Sequence, residues 1–217
     1  MRGVQIDEVL ATEHFLLVGE CHNLPKRNVM TIYYTGDRSG LLQPGMRFNL
    51  QSPPQQLALC TQVSGICSSQ EINSYFQTNF PRGIARHGVE YLLNNNNYLK
   101  DQAGNYLPYT NLSSSIEVIY EFVRQTKFPE LPSRFECAFA FEDPSYARAF
   151  FNNAALPVYE ISGSTKIFKG DMTLLKIGPN HLATLVLAEK YWSGVVINPA
   201  QVEVLIECPA IIGNRVP

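Results

Sequence analysis

The sequence has 217 residues, of which 45% are hydrophobic, enough to build the core of one domain spanning 1–217. Its 17 basic and 19 acidic residues give a formal net charge of −2, so the overall charge favours neither nucleic acid nor an anionic membrane as a partner. No apolar run approaches the roughly 20 residues of a membrane span, and five cysteines without zinc-site spacing are typical of reduced thiols, so we expect a cytoplasmic protein without a metal, unless a specialised system exports it.

The first third of the sequence predicts two strands and a helix. In "NVMTIYYTGDRSGLLQPGMRFNL", the aromatic and β-branched run 30–34 leads through a Gly/Asp turn to a short extended piece at 47–50. After the "SPPQQ" break, Ser68 or Ser69 is placed to cap a helix. The Asn-rich segment 94–111 is predicted to be a loop, with a ligand-facing flap as the alternative.

The middle of the sequence predicts a helix, a strand and a second helix in close succession. Ser115 can cap the first helix, which Pro129 closes. The stretch "SRFECAFAFED" then alternates as a strand, with its aromatic residues on one face. Asp143 as a cap and Pro144 at the first helical position start the next helix.

The last third predicts a hairpin, a helix and one or two final strands. "PVYEISG" and "TKIFKGDM" are two extended runs joined by a Gly-containing turn, which favours a hairpin. "NHLATLVLAEKYWSG" is helical and ends at Gly194, and "QVEVLIECPAIIGNRV" supplies the final strands. The whole is predicted to be α+β, with a helix-rich N-terminal half and a mostly antiparallel sheet.

A pair of polar residues opens the predicted strand near the end of the sequence. In "AQVEVLIECPAII", β-branched residues alternate with others at a period of two, which favours a strand over a helix. Gln201 and Glu203 are two residues apart, so on a strand both side chains point to the same face. They are a candidate working pair, although a single glutamate on such a strand is more often solvent-facing.

The order of these elements resembles the mono-ADP-ribosyltransferase superfamily. Three matches carry the resemblance: "TIYYTGDRSGLLQPGMRF" is similar to its opening motif, "PSRFECAFAFEDPSYARAFF" to its middle motif, and "QVEVLI" to its Gln/Glu-x-Glu motif. The resemblance implies a split antiparallel sheet of the ADP-ribosyltransferase type. The sequence departs from the family at Tyr34, where the family has His or Arg, and at Ser133, which stands only at the start of the middle motif.

The resemblance implies cleavage of the nicotinamide glycosidic bond of NAD. A carboxylate stabilises the oxocarbenium-like sugar that forms, and this role falls to Glu203, with Gln201 orienting the acceptor. Aromatic rings stack on the nicotinamide and an arginine holds the pyrophosphate, which assigns NAD binding to Tyr33, Tyr34, Arg38, Ser133, Arg134 and Phe141. The competing interpretations are that the tyrosines pack in the core and that Arg134 closes a loop by pairing with a nearby glutamate.

The function expected from this resemblance is NAD-dependent transfer of ADP-ribose to a protein or nucleic acid, as in a toxin of a bacterial or phage conflict system. Such a toxin has a cognate antitoxin or immunity protein as a further possible partner. The alternatives are a catalytically silent member of the same fold that binds a nucleotide or a partner, and a structural protein without a small-molecule site. The transferase requires Glu203 to share a cleft with Tyr33 and Tyr34.

Overall fold

The computed structural model describes residues 31–38, 40–52, 68–92, 112–163 and 166–217. In these ranges the fold is α+β, as predicted. The strands are β1 (Tyr33–Gly36), β2 (Arg47–Phe48), β3 (Cys137–Ala140), β4 (Val158–Gly163), β5 (Ile167–Asp171), β6 (Val202–Glu207) and β7 (Ala210–Val216). The helices are α1 (Ser69–Asn79), α2 (Arg86–Leu92), α3 (Leu112–Lys127), α4 (Pro144–Phe150) and α5 (His181–Trp192).

The strands form two antiparallel sheets that meet at a single bridge. One sheet has the order β1-β4-β7-β2 and the other has the order β3-β6-β5. Tyr34 at β1 and Phe141 just after β3 exchange backbone hydrogen bonds of 2.9 and 2.8 Å, which joins the two sheets at their adjacent edges. The sheet is therefore split, with β6 as the central strand of its three-stranded part.

The core between the sheets comes from one face of each. Alternation along β6 sends Val204 and Ile206 to this face, where they pack with Ile161 of β4 and Ile212 of β7. Each of these side chains is fully or almost fully buried, which contributes about 1.5–3 kcal/mol per residue. The opposite face of β6 carries the remaining alternate positions and is covered by helices.

Helices α3 and α5 cover that second face. Their buried aromatic residues pack on the sheet, and Trp192 donates its indole N–H to the backbone carbonyl of Tyr120 at 2.8 Å. Three of the predicted helix ends are confirmed: Ser68 caps α1 in a capping box, Asp143 caps α4 with Pro144 in its first turn, and Gly194 follows α5 at a φ of +74°. The helix ends that have a specific stereochemical signal were thus predictable.

Three predictions about local structure were wrong. Helix α3 begins at Leu112, so Ser115 lies inside it and does not cap it. Residues 134–136 form a 3-10 turn, so β3 is shorter than the alternation suggested. Strands β4 and β5 do not form a hairpin, because β4 pairs with β1 and β7 whereas β5 pairs with β6. The chain changes sheets between β4 and β5.

The prediction of a helix-rich N-terminal half is not confirmed, since the described residues before position 109 comprise β1, β2, α1 and α2, and the longest helix, α3, follows them. The predicted first strand, 30–34, overlaps β1 only at Tyr33 and Tyr34, because β1 continues to Gly36. The predicted loop 94–111 lies outside the described residues. None of the described helices is long and apolar enough to cross a membrane.

Candidate functional site

Glu203 lies in a buried polar cluster on the helix-covered face of β6. Its side chain is 4% exposed. Arg134 donates from Nη1 to Oε1 of Glu203, and the Tyr191 hydroxyl donates to the same oxygen at 2.7 Å. Among the described residues no group donates a hydrogen bond to Oε2. Within the described part of the chain, Oε1 is thus the oxygen that donors anchor.

Arg134 is the centre of this cluster. Its Nε and Nη2 donate to Oε2 and Oε1 of Glu117 at 2.7 and 3.0 Å, and its Nη1 also donates to the Tyr191 hydroxyl at 2.7 Å. The guanidinium plane lies over the Phe139 ring at 4.9 Å. Such bidentate, stacked geometry is specific to arginine. All three nitrogens are engaged inside the protein.

The local sequence explains how these groups reach one another. Ser133 accepts a hydrogen bond from Phe135 N at 3.1 Å and donates to Glu121 at 3.0 Å, which fixes the 3-10 turn that carries Arg134. Gly170 of β5 lies opposite Glu203, and a Cβ there would overlap the Tyr191 ring. The glycine therefore makes room for the tyrosine beside the acid.

The electrostatics of the cluster keep its groups in defined protonation states. Burial is the largest single influence on Glu117 and opposes its ionisation, but the charge and hydrogen bonds of Arg134 together with the nearby His87 outweigh it and lower the pKa of Glu117 to about 2. Burial likewise disfavours the charged form of Arg134, yet Glu117 and Glu203 raise its pKa well above the usual value. Burial also raises the pKa of Tyr191 well above its usual value. At neutral pH Tyr191 is therefore a neutral donor beside a charged arginine.

His87 of α2 borders the same cluster. Its ring packs against Tyr91 and Phe139 with centroid separations of 4.3 and 4.4 Å. Its Nε2 is buried without a hydrogen-bond partner among the described residues, 3.7 Å from Oε1 of Glu117. The histidine is thus close enough to Glu117 to pair with it when protonated.

Tyr34 and Glu203 share one face of the joined sheets. Tyr34 pairs with Phe141, and Phe139, two residues before Phe141 on the same face, pairs with Leu205 of β6. The pairing of β3 with β6 ends at Ala140 and Val204, one residue short of Phe141 and Glu203. Tyr34, Phe141 and Glu203 therefore lie on the same side of the joined sheets, opposite the core that Tyr33 and Val204 enter. A cleft shared by Tyr34 and Glu203 stays a prediction.

Tyr33 does not lie on this side of the joined sheets. It points to the opposite face, where it is 6% exposed in the core between the sheets. This face follows from the alternation of a strand, since Tyr33 and Tyr34 are neighbours. The prediction that both tyrosines face Glu203 is therefore wrong for Tyr33.

The remaining predicted site residues lie in three different settings. Arg38 is exposed, with its guanidinium 5.0 Å from the centroid of the Phe151 ring. Gln201 is half-buried in the 3-10 turn 199–201, so it is not on the strand with Glu203 as the alternation predicted. Phe141 is 5% exposed and packs near Phe150 at 5.6 Å. Of the predicted set, Glu203 and Arg134 are joined by a side-chain hydrogen bond, and Tyr34 packs against the apolar cluster that contains Phe141.

Asp171 fixes the chain just before β6. Its side chain accepts hydrogen bonds from the backbone N–H groups of Ile197 and Asn198, both at 2.6 Å, and from Thr173 at 2.8 Å. Burial opposes ionisation of Asp171, but these donors outweigh it and lower its pKa. The carboxylate thus anchors the segment that leads into the turn with Gln201.

Two members of the cluster, Glu117 and Tyr191, were not predicted from the sequence. A signal for Glu117 was present, because it follows Ile116 and precedes Tyr120 on the apolar stripe of α3. A glutamate within such a stripe needs a buried partner. No comparable signal marks Tyr191, which lies in a helix that is apolar on most sides.

Comparison with known proteins identifies the family of this chain. No group of three or more metal-binding side chains is close enough to hold a metal among the described residues. No similarity to a curated protein was found. The model of the family described as "Protein of unknown function (DUF2441)" matches residues 33–215, which is most of the sequence, so this chain belongs to that family.

Proposed function

We propose that this protein is an NAD-dependent mono-ADP-ribosyltransferase with Glu203 as its catalytic carboxylate. The observation that supports this most is the state of that carboxylate: Oε1 is anchored by Arg134 and Tyr191, and Oε2 accepts nothing from the described residues. An oriented acceptor oxygen in a low-dielectric site is what a reaction through a cationic sugar requires.

The proposed chemistry breaks one C–N bond and forms one bond to the acceptor. The nicotinamide leaves with the electron pair of the glycosidic bond, which neutralises its ring nitrogen, and C1 of the ribose becomes cationic. Oε2 of Glu203 accepts a hydrogen bond from a ribose hydroxyl and stabilises that charge. The nucleophile of the acceptor then bonds to C1 and loses its proton to solvent. Gln201, fixed in its turn by the segment that Asp171 anchors, orients the acceptor.

The order of elements is the second support. The resemblance to the ADP-ribosyltransferases rests on the order of a strand, a helical insertion, a strand followed at once by a short helix, a hairpin, and a final strand opening with Gln-x-Glu. The observed elements follow this order except that β4 and β5 form no hairpin and Gln201 precedes the last strand of that series, β6. The split sheet joined at Tyr34 and Phe141 is compatible with that type of fold. The macromolecular acceptor, a toxin role and a cognate immunity partner remain parts of this proposal.

The geometry changes the role proposed for Arg134. Because its nitrogens are engaged by Glu117, Tyr191 and Glu203, we assign it to orienting the acid instead of holding the pyrophosphate. The exposed Arg38 is then the proposed pyrophosphate partner. Since the Glu203 side chain is 4% exposed, productive NAD binding requires the groups that cover it to move.

The second candidate is a catalytically silent protein of the same family that binds a nucleotide. The observation that favours it is the burial of Glu203 in an ion pair with Arg134, which is also how a purely structural carboxylate is held. Tyr34, which stands where the ADP-ribosyltransferases have His or Arg, also favours a catalytically silent protein.

Release of nicotinamide from NAD separates the two candidates. In the transferase, Glu203→Gln lowers the rate by at least about 100-fold, because the variant lacks the negative charge that stabilises the sugar. Glu207→Gln is the matched control, since Glu207 lies on the same face of β6 but pairs with Arg82, and it should retain wild-type rates. Both variants should keep their far-UV circular dichroism.

A silent binder gives a different pattern. Its melting temperature rises with NAD or ADP-ribose while no nicotinamide is released. Equal nicotinamide release by the wild type and by Glu203→Gln would remove Glu203 from the mechanism. Growth arrest on expression, relieved by Glu203→Gln and not by Glu207→Gln, would support the toxin role without knowledge of the acceptor.

A further inference from the structure

Two carboxylates, those of Glu117 and Glu203, form ion pairs with the same buried guanidinium group. Arg134 presents its Nε and Nη2 edge to Glu117 of α3 and its Nη1 to Glu203 of β6. The three side chains are between 4% and 8% exposed, so water screens these charges very little. The positive charge of Arg134 is therefore divided between two acids that do not touch each other.

The net charge of Arg134, Glu203 and Glu117 depends on whether Glu117 is ionised. Arg134 and Glu203 alone form a neutral pair, which would offer a developing cation no net charge. With Glu117 ionised, the three side chains carry one net negative charge in a site of low dielectric. The strong hold of Glu117 on Arg134, through two hydrogen bonds of 2.7 and 3.0 Å, leaves more of the charge of Glu203 uncompensated.

We propose that Glu117 is a positioning residue that sets how strongly Arg134 neutralises Glu203. An effect of Glu117 on catalysis rests on the proposed function. The charge coupling between Glu117 and Glu203 through Arg134 does not depend on that function. Glu117 does not contact the substrate and acts through Arg134.

The titratable and charged groups around Glu203 come from each element packed against it. These are Arg134 before β3, Glu117 of α3, Tyr191 of α5, His87 of α2 next to Glu117, and on β6 itself Glu207 with its partners Arg82 and Lys166. When Glu117 loses its charge, the full charge of Arg134 acts on Glu203 and the repulsion between the acids ends. Both changes make Glu203 ionise at lower pH.

Carbon-13 NMR of glutamate side-chain carboxyls tests the coupling without any substrate. The Glu203 resonance is assigned by its loss in Glu203→Gln, and its titration midpoint is compared in the wild type and in Glu117→Gln. We expect the midpoint in Glu117→Gln to move to lower pH by about one unit or more, as for a carboxyl that gains an arginine. An unchanged midpoint would overturn the inference.

Glu121→Gln is the matched control. Glu121 is the other buried acid of α3, one turn further on, and it pairs with Arg124 and Ser133 and not with Arg134. Glutamine keeps a side-chain oxygen that can accept the hydrogen bond of Ser133, so the turn that carries Arg134 and the Glu203 midpoint should stay in place. A general loosening of α3 would instead move the midpoint in both variants and refute a specific coupling. If Glu117→Gln does not fold, Glu117→Asp keeps the charge on a shorter side chain, and we expect a smaller shift in the same direction. No shift there would equally overturn the inference.

Kinetics then separate this inference from the proposed function. In Glu117→Gln we expect kcat for nicotinamide release to fall at least about tenfold with little change in KM for NAD, and the acid limb of the pH profile to move with the NMR midpoint. If the midpoint moves but the wild type releases no nicotinamide, the coupling stands and the proposed function fails. If the wild type is active and the midpoint does not move, the function stands and Glu117 has no such role.

Discussion

Two largely buried carboxylates on one strand, Glu203 and Glu207, pair with arginines that differ in exposure to water. They lie on the same face of β6, four residues apart, and each is within hydrogen-bonding distance of an arginine. The partner of Glu203 is Arg134, whose side chain is 5% exposed, whereas the partner of Glu207 is Arg82, whose side chain is 51% exposed. Both carboxylates are thus largely buried, and the two pairs differ in whether the arginine is buried or exposed.

Burial of the arginine determines how firmly the charged side chains are held in one position. Arg134 is held by three protein groups and cannot leave without exposing two buried acids to a medium that does not solvate them. Arg82 bridges Glu207 and Glu136 at 2.9 and 3.5 Å, but its own side chain is 51% exposed, so water competes for its charge. A preorganised site needs the first arrangement, because the second reorganises when a ligand approaches.

The largest effect is expected from Arg134→Met. The variant keeps most of the side-chain volume but leaves Glu117 and Glu203 buried without their counter-charge, which costs about 3–5 kcal/mol in the free energy of unfolding. Urea denaturation at neutral pH measures this cost. A loss below about 1 kcal/mol would mean that the buried Arg134 stabilises the fold no more than an exposed arginine does. It would contradict the difference between the arginine partners of Glu203 and Glu207.

A smaller effect is expected on acidification. The pKa of Glu117 is about 2 in the folded protein against 4.5 as the reference, so its stabilising contribution is complete above pH 4.5 and is lost as the pH falls through about 2. The change corresponds to about 3 kcal/mol at most. Urea denaturation from pH 6 to pH 2 should therefore show the wild type converging on Glu117→Gln. A constant gap between the two would show that the charge of Glu117 does not stabilise the fold.

The same contrast shows how far the sequence predicts this site. The strand at the end of the chain, the caps of α1 and α4 and the end of α5 each depend on residues close in sequence, and all were predicted. The hairpin was wrong because pairing of β4 and β5 with different sheets is a tertiary choice that no local turn signal encodes. Local signals therefore predict where elements begin and end better than which elements pair.

Side-chain partners were predictable only in part. Glu203 was found from its strand position, and Arg134 was found as a residue of interest but assigned to a phosphate. Its real partners, Glu117 and Tyr191, are 17 and 57 residues away, and no spacing rule relates them. The competing interpretation, in which Arg134 pairs with a glutamate close to it in sequence, Glu130 or Glu136, fails for the same reason, since Arg134 pairs with Glu117 and Glu203 and Glu136 is bridged to Arg82.

The smallest effect is expected from Arg82→Met, which removes a half-exposed arginine from two largely buried acids, Glu207 and Glu136. Because salt screens an exposed charge over a Debye length of about 10 Å at 0.1 M, the loss should be smaller than in Arg134→Met and should fall further at high salt. Lys166, 3.6 Å from Glu207, retains part of the attraction when Arg82 is gone. Urea denaturation of Arg82→Met and Arg134→Met at two salt concentrations compares the pairs directly. Equal salt dependence in the two variants would contradict the view that burial of the arginine, and not its distance from the acid, separates the two ends of β6.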